Sequence, residues 1–205
     1  MSKKIILLAG PTASGKSKLA IQLAKKLNGE IINADSMQIY KEFTILSSRP
    51  GSKETRKAKH HLYGVISVKK HFSAGDWLKL ANSKIDLCFK SKKIPIIVGG
   101  TGLYFNTITK GISKIPSIDT QTRNKVRNLF KKLGYKEFYK KLLILDPKVK
   151  NKILPSDSQR SQRAYEVILK TKKSLFDWIA NTKSDFINFE ISKIYIDIPR
   201  DELLK

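Results

Sequence analysis

The chain has 205 residues, 40% of them hydrophobic, and one cysteine, Cys88, which excludes an internal disulfide and a thiolate zinc cluster. Forty-one Lys and Arg against 17 Asp and Glu give a formal net charge of +24. A field of that sign and size attracts polyanions, RNA or DNA first, although Lys dominates the excess and is scattered along the chain as in a lysine-biased composition. No apolar run approaches the roughly 18 residues that span a bilayer, so no membrane partner is expected, and a lone thiol suits a reducing cytoplasm.

Taken in chain order, the first apolar stretch is too short for a signal peptide and runs straight into Gly10, so Lys4–Ala9 reads as a strand. Apolar residues at helical spacing (Leu19, Ala20, Leu23, Ala24, Leu27) predict a helix over Ser17–Leu27, stopped by Asn28-Gly29. Glu30–Asn33 is a second strand that ends near Asp35, and Val65–Val68 a third. Ser73-Ala74-Gly75-Asp76 has capping-box spacing and should open a helix to about Lys90 that buries Trp77, Leu80, Ala81, Ile85 and Cys88. Pro95–Val98 is a buried strand running into Gly99-Gly100-Thr101-Gly102. From Ile118 to Thr182 the signals are helical, over Arg123–Leu133, Glu137–Leu145 and Ser158–Thr171, with aromatics at Phe130, Tyr135, Phe138, Tyr139 and Tyr165 among many Lys and Arg. A strand returns at Lys193–Asp197, and a new helix begins near Pro199-Arg200.

This rhythm predicts an α/β fold, a P-loop NTPase-like parallel sheet with helices on both faces and an inserted helical domain. Residues 1–117 and 183–205 form the core, and 118–182 form the insertion. A helix of one turn is a poor ending for a domain, which reads as a C-terminal part cut short at Lys205.

Gly10-Pro11-Thr12-Ala13-Ser14-Gly15-Lys16-Ser17 matches GxxxxGK[ST] between a strand and a helix. The glycines let backbone N–H groups turn inward around phosphate oxygens, and the helix N-terminus adds partial positive charge. Lys16 adds a full charge, and the Ser17 hydroxyl is a ligand for Mg²⁺. Asp35 follows the second strand on the edge where open parallel sheets bind ligands; there it can hold Mg²⁺, take a proton or cap a helix. The glycines after Val98 let substrate approach the backbone. Asp197 has the hydrophobic-plus-Asp form of a metal-binding strand end, but is read first as an unengaged carboxylate. His60-His61 lacks an accompanying ligand cluster and reads as structural or RNA-contacting rather than as zinc ligands. Arg160 and Arg163, one turn apart among glutamines, suit either a solvated face or contacts to RNA phosphates and bases.

Several segments together resemble the tRNA dimethylallyltransferase (tRNA isopentenyltransferase) family: Gly10–Ser17, Ala34-Asp35-Ser36-Met37-Gln38-Ile39-Tyr40, His60-His61-Leu62, Phe72–Asp76, Pro95–Tyr104, Ser156–Arg160 and Arg163–Val167. Ser156, Tyr165 and Ser48-Arg49-Pro50 depart from the residues usual there. The family also continues through a longer helical C-terminal part that supplies further tRNA contacts and an arginine near the leaving diphosphate. The resemblance implies transfer of a dimethylallyl group from dimethylallyl diphosphate to the exocyclic amine of the adenosine 3′-adjacent to the anticodon, in tRNAs reading U-starting codons, by a cytoplasmic, monomeric, Mg²⁺-dependent enzyme.

By the same resemblance, Asp35, Lys16 and Thr101 are catalytic. Gly10, Pro11, Thr12, Ala13, Ser14, Gly15, Lys16 and Ser17 hold the diphosphate, with Ser17 on the metal. Asp35, Ser36, Met37, Gln38, Thr101, Arg123, Gln159, Arg160, Ser161, Gln162 and Arg163 contact tRNA. Two other readings stay open: a P-loop small-molecule or nucleotide kinase using ATP, and a non-catalytic RNA-binding P-loop protein.

Overall fold

The computed structural model describes residues 3–203, so Met1, Ser2, Leu204 and Lys205 lie outside the described residues. It divides into two compact units: the residues up to Gly111 together with those from Ser184 onward, and Ile112–Lys183.

The first unit is built on five parallel strands, β1 (Lys4–Ala9), β2 (Gly29–Asn33), β3 (His60–His61), β4 (Ile94–Gly99) and β5 (Glu190–Tyr195), in the order β3-β2-β4-β1-β5. The central strands are apolar throughout because both faces are covered. On one face Ile5, Leu7, Ile32 and Ile97 pack with α3 (Ala74–Lys90) and α4 (Gly102–Thr109). On the other Ile6, Leu8, Ile31, Ile96 and Val98 pack with α1 (Lys16–Lys26). Helix α3 starts at the expected capping box: Asp76 N–H donates to Ser73 Oγ at 3.2 Å, and Asp76 Oδ2 accepts from Ser73 N–H at 3.0 Å. It buries Trp77, Ala81, Ile85 and Cys88 as expected; Leu78 is buried as well, while Leu80 is half-buried against the same core.

Two strand expectations are corrected. The third strand is His60–His61, paired with Ile31 and Ile32, and not Val65–Val68. The Val-Ile-Ser-Val run 65–68 makes only an isolated bridge from Ile66 to Tyr40, and leaves Val65 and Val68 exposed. The place beside β2 is already filled. The last strand begins at Glu190, earlier than its apolar alternation suggests, because it runs in register with all of β1, with Lys4 and Glu190 in an ion pair at 2.9 Å. The ladder ends where Ile196 N–H meets the Ala9 carbonyl at 2.8 Å, so Asp197 lies beyond it, exposed. Short helices α2 (Ser52–Thr55) and α8 (Arg200–Leu203) complete this unit.

The second unit is helical: α5 (Thr120–Leu145), a 3-10 turn (Pro147–Val149), α6 (Ser158–Thr171) and α7 (Leu175–Ala180). The two helices expected over 123–145 meet end to end at Gly134, whose φ of 70° and ψ of 172° break the helical path. Side chains cap all four starts: Asp119 accepts from Thr122 N–H at 2.7 Å, Asp146 from Lys148 N–H at 3.2 Å, Asp157 from Arg160 N–H at 3.0 Å and Ser174 from Phe176 N–H at 3.2 Å. Phe138, Tyr139 and Leu142 are buried with Val149, Ile153 and Ala164, and the Tyr139 hydroxyl donates to the Ile153 carbonyl at 2.8 Å. The aromatics scattered among the basic residues therefore serve chiefly as core, with Phe138 between Phe130 and Tyr165.

Candidate functional site

Adjacent strands β2, β4 and β1 each deliver one part of a site at their C-terminal ends, the edge where open parallel sheets bind ligands. The P-loop follows β1, Asp35 follows β2, and Gly99 ends β4, with Gly100 and Thr101 directly after it.

In the P-loop, Gly15 takes φ of 77° directly before α1, a left-handed turn that suits glycine and aims the helix N-terminus at the loop's interior. The Lys16 ammonium folds back onto the Pro11 carbonyl. Burial lowers its pKa, while the Asp35 carboxylate opposes that shift, so the cation and the acid sense one another across the site. Ser14 Oγ is buried without a hydrogen-bond partner among the described residues. A buried hydroxyl of this kind calls for an acceptor or donor, and an anion's oxygen supplies one.

Asp35 is held from three sides. Asn33, fully buried, accepts from Asp35 N–H at 2.9 Å and donates to the Asp35 carbonyl at 3.0 Å and to the Leu62 carbonyl at 3.1 Å. The Asn33 carbonyl in turn accepts from Trp77 Nε1 at 2.8 Å, and Trp77 stacks on Tyr104 at 4.4 Å. Asp35 Oδ1 accepts from Met37 N–H at 2.8 Å and from Gln38 N–H at 3.3 Å. Its other oxygen, Oδ2, faces the glycines after β4: the position of a Cβ on Gly100 is 3.8 Å from Asp35 Oδ2 and 3.5 Å from the Gly10 carbonyl oxygen. Gly99 must be glycine, because a Cβ there would stand 2.1 Å from the Ala34 carbonyl oxygen. That close approach draws the ends of β2 and β4 together. Thr101 Oγ1 accepts from Ser36 N–H at 2.9 Å and donates to Ser36 Oγ at 3.2 Å, tying the same two segments together.

The structure thus gathers Lys16, Asp35, Ser36 and Thr101 with the P-loop on one edge. Met37 is half-exposed, whereas the Gln38 amide is occupied, donating to the Ser47 and Ser48 carbonyls at 2.8 and 3.3 Å. In the helical unit Arg123, Gln159 and Arg160 are exposed, and Gln162 and Arg163 half-exposed. Ser161 is buried, so an RNA contact through its side chain is corrected: it faces the core because it lies on the same side of α6 as Ala164. Sequence reasoning missed Asn33 and Trp77. The signal for Asn33 was present in the Asn-x-Asp spacing, which lets an Asn side chain bond backbone two residues on.

His61 and Cys88 also find their places. His61 Nε2 and Glu30 Oε2 lie 2.6 Å apart, Cys88 Sγ donates to the same oxygen at 3.8 Å, and Lys59 Nζ lies 3.5 Å from the other carboxylate oxygen. Burial, with the Glu30 carboxylate, pushes the Cys88 thiol up to about 12. This buried hydrogen-bonded group joins β2, β3 and α3, and it corrects the expectation that no ligand-type cluster accompanies the histidines: Glu30, His61 and Cys88 bring ligand-type atoms within 4.8 Å of one another.

A parallel sheet with a P-loop after a central strand and a carboxylate facing it across glycines defines a P-loop NTPase-like α/β protein. The IPP transferase family profile matches residues 38–205, and the chain belongs to that family. It is 54% identical over 202 residues to the tRNA dimethylallyltransferase of Pelagibacter ubique (strain HTCC1062), covering 98% of this chain and 64% of that one. It is 44% identical to the tRNA dimethylallyltransferase of Rickettsia massiliae (strain Mtu5), covering 99% and 56%. Among solved structures, a eukaryotic dimethylallyltransferase acting on tRNA superposes with a TM-score of 0.85 at 29% identity, covering 99% of this chain and 53% of that one. The tRNA isopentenylpyrophosphate transferase of Staphylococcus epidermidis gives 0.59 at 32%, covering 98% and 65%. The chain thus spans less than two thirds of the length of these relatives. Among the described residues no helix is long and apolar enough to cross a membrane.

Proposed function

We propose that the chain carries the catalytic core of a tRNA dimethylallyltransferase. The observation that carries this reading is the placement of Asp35 Oδ2 and the P-loop backbone on either side of Gly100, in a chain of the IPP transferase family.

The chemistry needs both sides. The exocyclic amine of adenosine is a weak nucleophile because its lone pair is delocalised into the ring. The target base leaves its loop's stack to enter the site, as bases that undergo chemistry generally must. Its nitrogen attacks the first carbon of the dimethylallyl group; the carbon–oxygen bond to diphosphate breaks as the carbon–nitrogen bond forms, and the amine's proton passes to Asp35 Oδ2. Fixing Oδ1 by two backbone N–H groups leaves Oδ2 as the basic atom and holds it in place. The departing diphosphate gains negative charge, which the P-loop N–H groups, Lys16 and the unpartnered Ser14 hydroxyl stabilise. Thr101 and Ser36 keep the Asp35 segment in register with the glycines after β4.

The residues present fit Mg²⁺, which takes few protein ligands and keeps phosphate and water oxygens around it. Ser17 offers its hydroxyl on the first turn of α1, beside the loop, and bound Mg²⁺ would neutralise charge on the leaving diphosphate. In the helical unit Arg123, Gln159, Arg160, Gln162 and Arg163 contact tRNA. The enzyme acts as a monomer in the cytoplasm, on the adenosine next to the anticodon of tRNAs reading U-starting codons.

The test is to incubate the protein with Mg²⁺, dimethylallyl diphosphate and unmodified tRNA, digest the RNA and weigh its nucleosides. A prenylated adenosine is expected. Phosphate transfer from ATP to a small molecule without prenylated RNA would favour a kinase, and RNA binding without product a non-catalytic binder.

A further inference from the structure

Ile45 and Leu46 are the two most exposed large hydrophobic side chains among the described residues, at 91% and 86%. Burying either would gain free energy, so their joint exposure asks for a reason. The turn that carries them is not loose. Ser48 N–H bonds the Ile45 carbonyl at 3.0 Å, and Arg49 N–H the Thr44 carbonyl at 3.2 Å. Gln38 Nε2 holds the Ser47 and Ser48 carbonyls, Ser47 Oγ bonds the Phe43 carbonyl, and Arg49 Nη2 donates to Thr44 Oγ1 at 3.0 Å. The backbone's polar groups are bonded inward while the two aliphatic side chains are held out.

The surroundings name the partner. Six cationic residues lie between Lys41 and Lys59 against two acids, Glu42 and Glu54. Both acids are engaged: Glu42 accepts from Ser67 Oγ and Val68 N–H, and Glu54 from Gly51 N–H. The neighbourhood therefore favours a polyanion that also offers apolar faces, which an unpaired RNA loop does through its bases. Gln38 links the turn to the site, since its own N–H bonds Asp35 Oδ1.

We propose that Ile45 and Leu46 form an apolar wedge that packs against unpaired nucleobases of the RNA loop presented to the Asp35 site. This rests on the reading of the site as one that takes RNA. Apolar side chains are used this way against base steps, and base faces accept such contacts with little regard to sequence.

The test is fluorescence anisotropy with two RNAs of the same stem, one closed by an unpaired loop and one a blunt duplex, using wild type, Leu46→Ser and Ile45→Ser/Leu46→Ser. Thermal unfolding should be unchanged, because both side chains already face water. The double variant should bind the hairpin about 10-fold more weakly and the duplex as before. The salt slope should not change, because no phosphate contact is lost. Unchanged hairpin affinity overturns the wedge, as does an equal loss on both RNAs. Unchanged RNA binding with loss of self-association in sedimentation also overturns it, in favour of a contact between copies. A wild type that binds neither RNA would instead overturn the RNA reading of the site, and the wedge with it.

Discussion

The side-chain amide of Asn33 brackets the backbone of Asp35, accepting from its N–H at 2.9 Å and donating to its carbonyl at 3.0 Å. The proposed base is thus oriented by a buried residue that itself touches no ligand space. Asn33→Ala removes the bracket and leaves the buried Leu62 carbonyl without its donor. Stability should fall by about 1–3 kcal/mol, the usual cost of orphaning a buried polar group, read as a lower urea midpoint at unchanged slope. An unchanged midpoint would show that the bracket contributes nothing to stability.

Lys16 should act on the donor alone. Lys16→Ala keeps the loop's N–H groups but removes the mobile charge. Calorimetry should report weaker binding of dimethylallyl diphosphate, with RNA affinity nearly intact. Equal loss of both would mean that the loop holds an RNA phosphate.

Glu30 should give the protein a specific acid sensitivity. Burial raises its carboxyl pKa, but the hydrogen bond from His61 and the charge of Lys59 outweigh that, and the net shift is downward. A carboxylate with a lowered folded pKa stabilises the fold above its unfolded value of about 4.3, and that contribution disappears as pH falls through the folded value. Glu30→Gln should therefore be less stable at neutral pH and lose less of its stability between about pH 5 and pH 3. Parallel acid-unfolding curves for the two proteins would contradict this assignment.

Much of this architecture was legible in the residues, for identifiable reasons. A strand buried on both faces announces itself as an apolar run, as β1 and β4 do, and the P-loop carries its chemistry in its spacing. The third strand was not legible, because two histidines beside β2 look nothing like a strand while Val65–Val68 does; pairing partners, not local propensity, decided the case. Within the site, Asp35 and the glycines could be named from position, but Asn33 and the stacked Trp77 and Tyr104 act through contacts between distant segments. The inward turn of Ser161 was hidden for a related reason: helical spacing assigns it a side only once Ala164 is known to be core.

Arg160 and Arg163 make opposing expectations about salt. Each forms a long local ion pair, Arg160 Nε with the capping Asp157 at 3.4 Å and Arg163 Nη1 with Glu166 at 3.4 Å, and both remain accessible. Replacing both with alanine should flatten the dependence of log K on log salt for tRNA by about 1–2 if they meet phosphates. If they read bases, the slope should hold while discrimination between anticodon loops falls. No change in either returns them to an idle solvated face.

The central claim is that Asp35 removes the amine's proton while the P-loop takes the diphosphate. Single-turnover transfer of labelled dimethylallyl from its diphosphate to tRNA, comparing wild type with Asp35→Asn, tests it most directly. Asn retains an acceptor oxygen for the Met37 and Gln38 N–H groups but no basic carboxylate. The account predicts a transfer rate lower by roughly 10²–10⁴-fold with tRNA and donor affinities close to wild type. An Asp35→Asn protein that transfers at nearly the wild-type rate would remove Asp35 from the proton's path and contradict the mechanism.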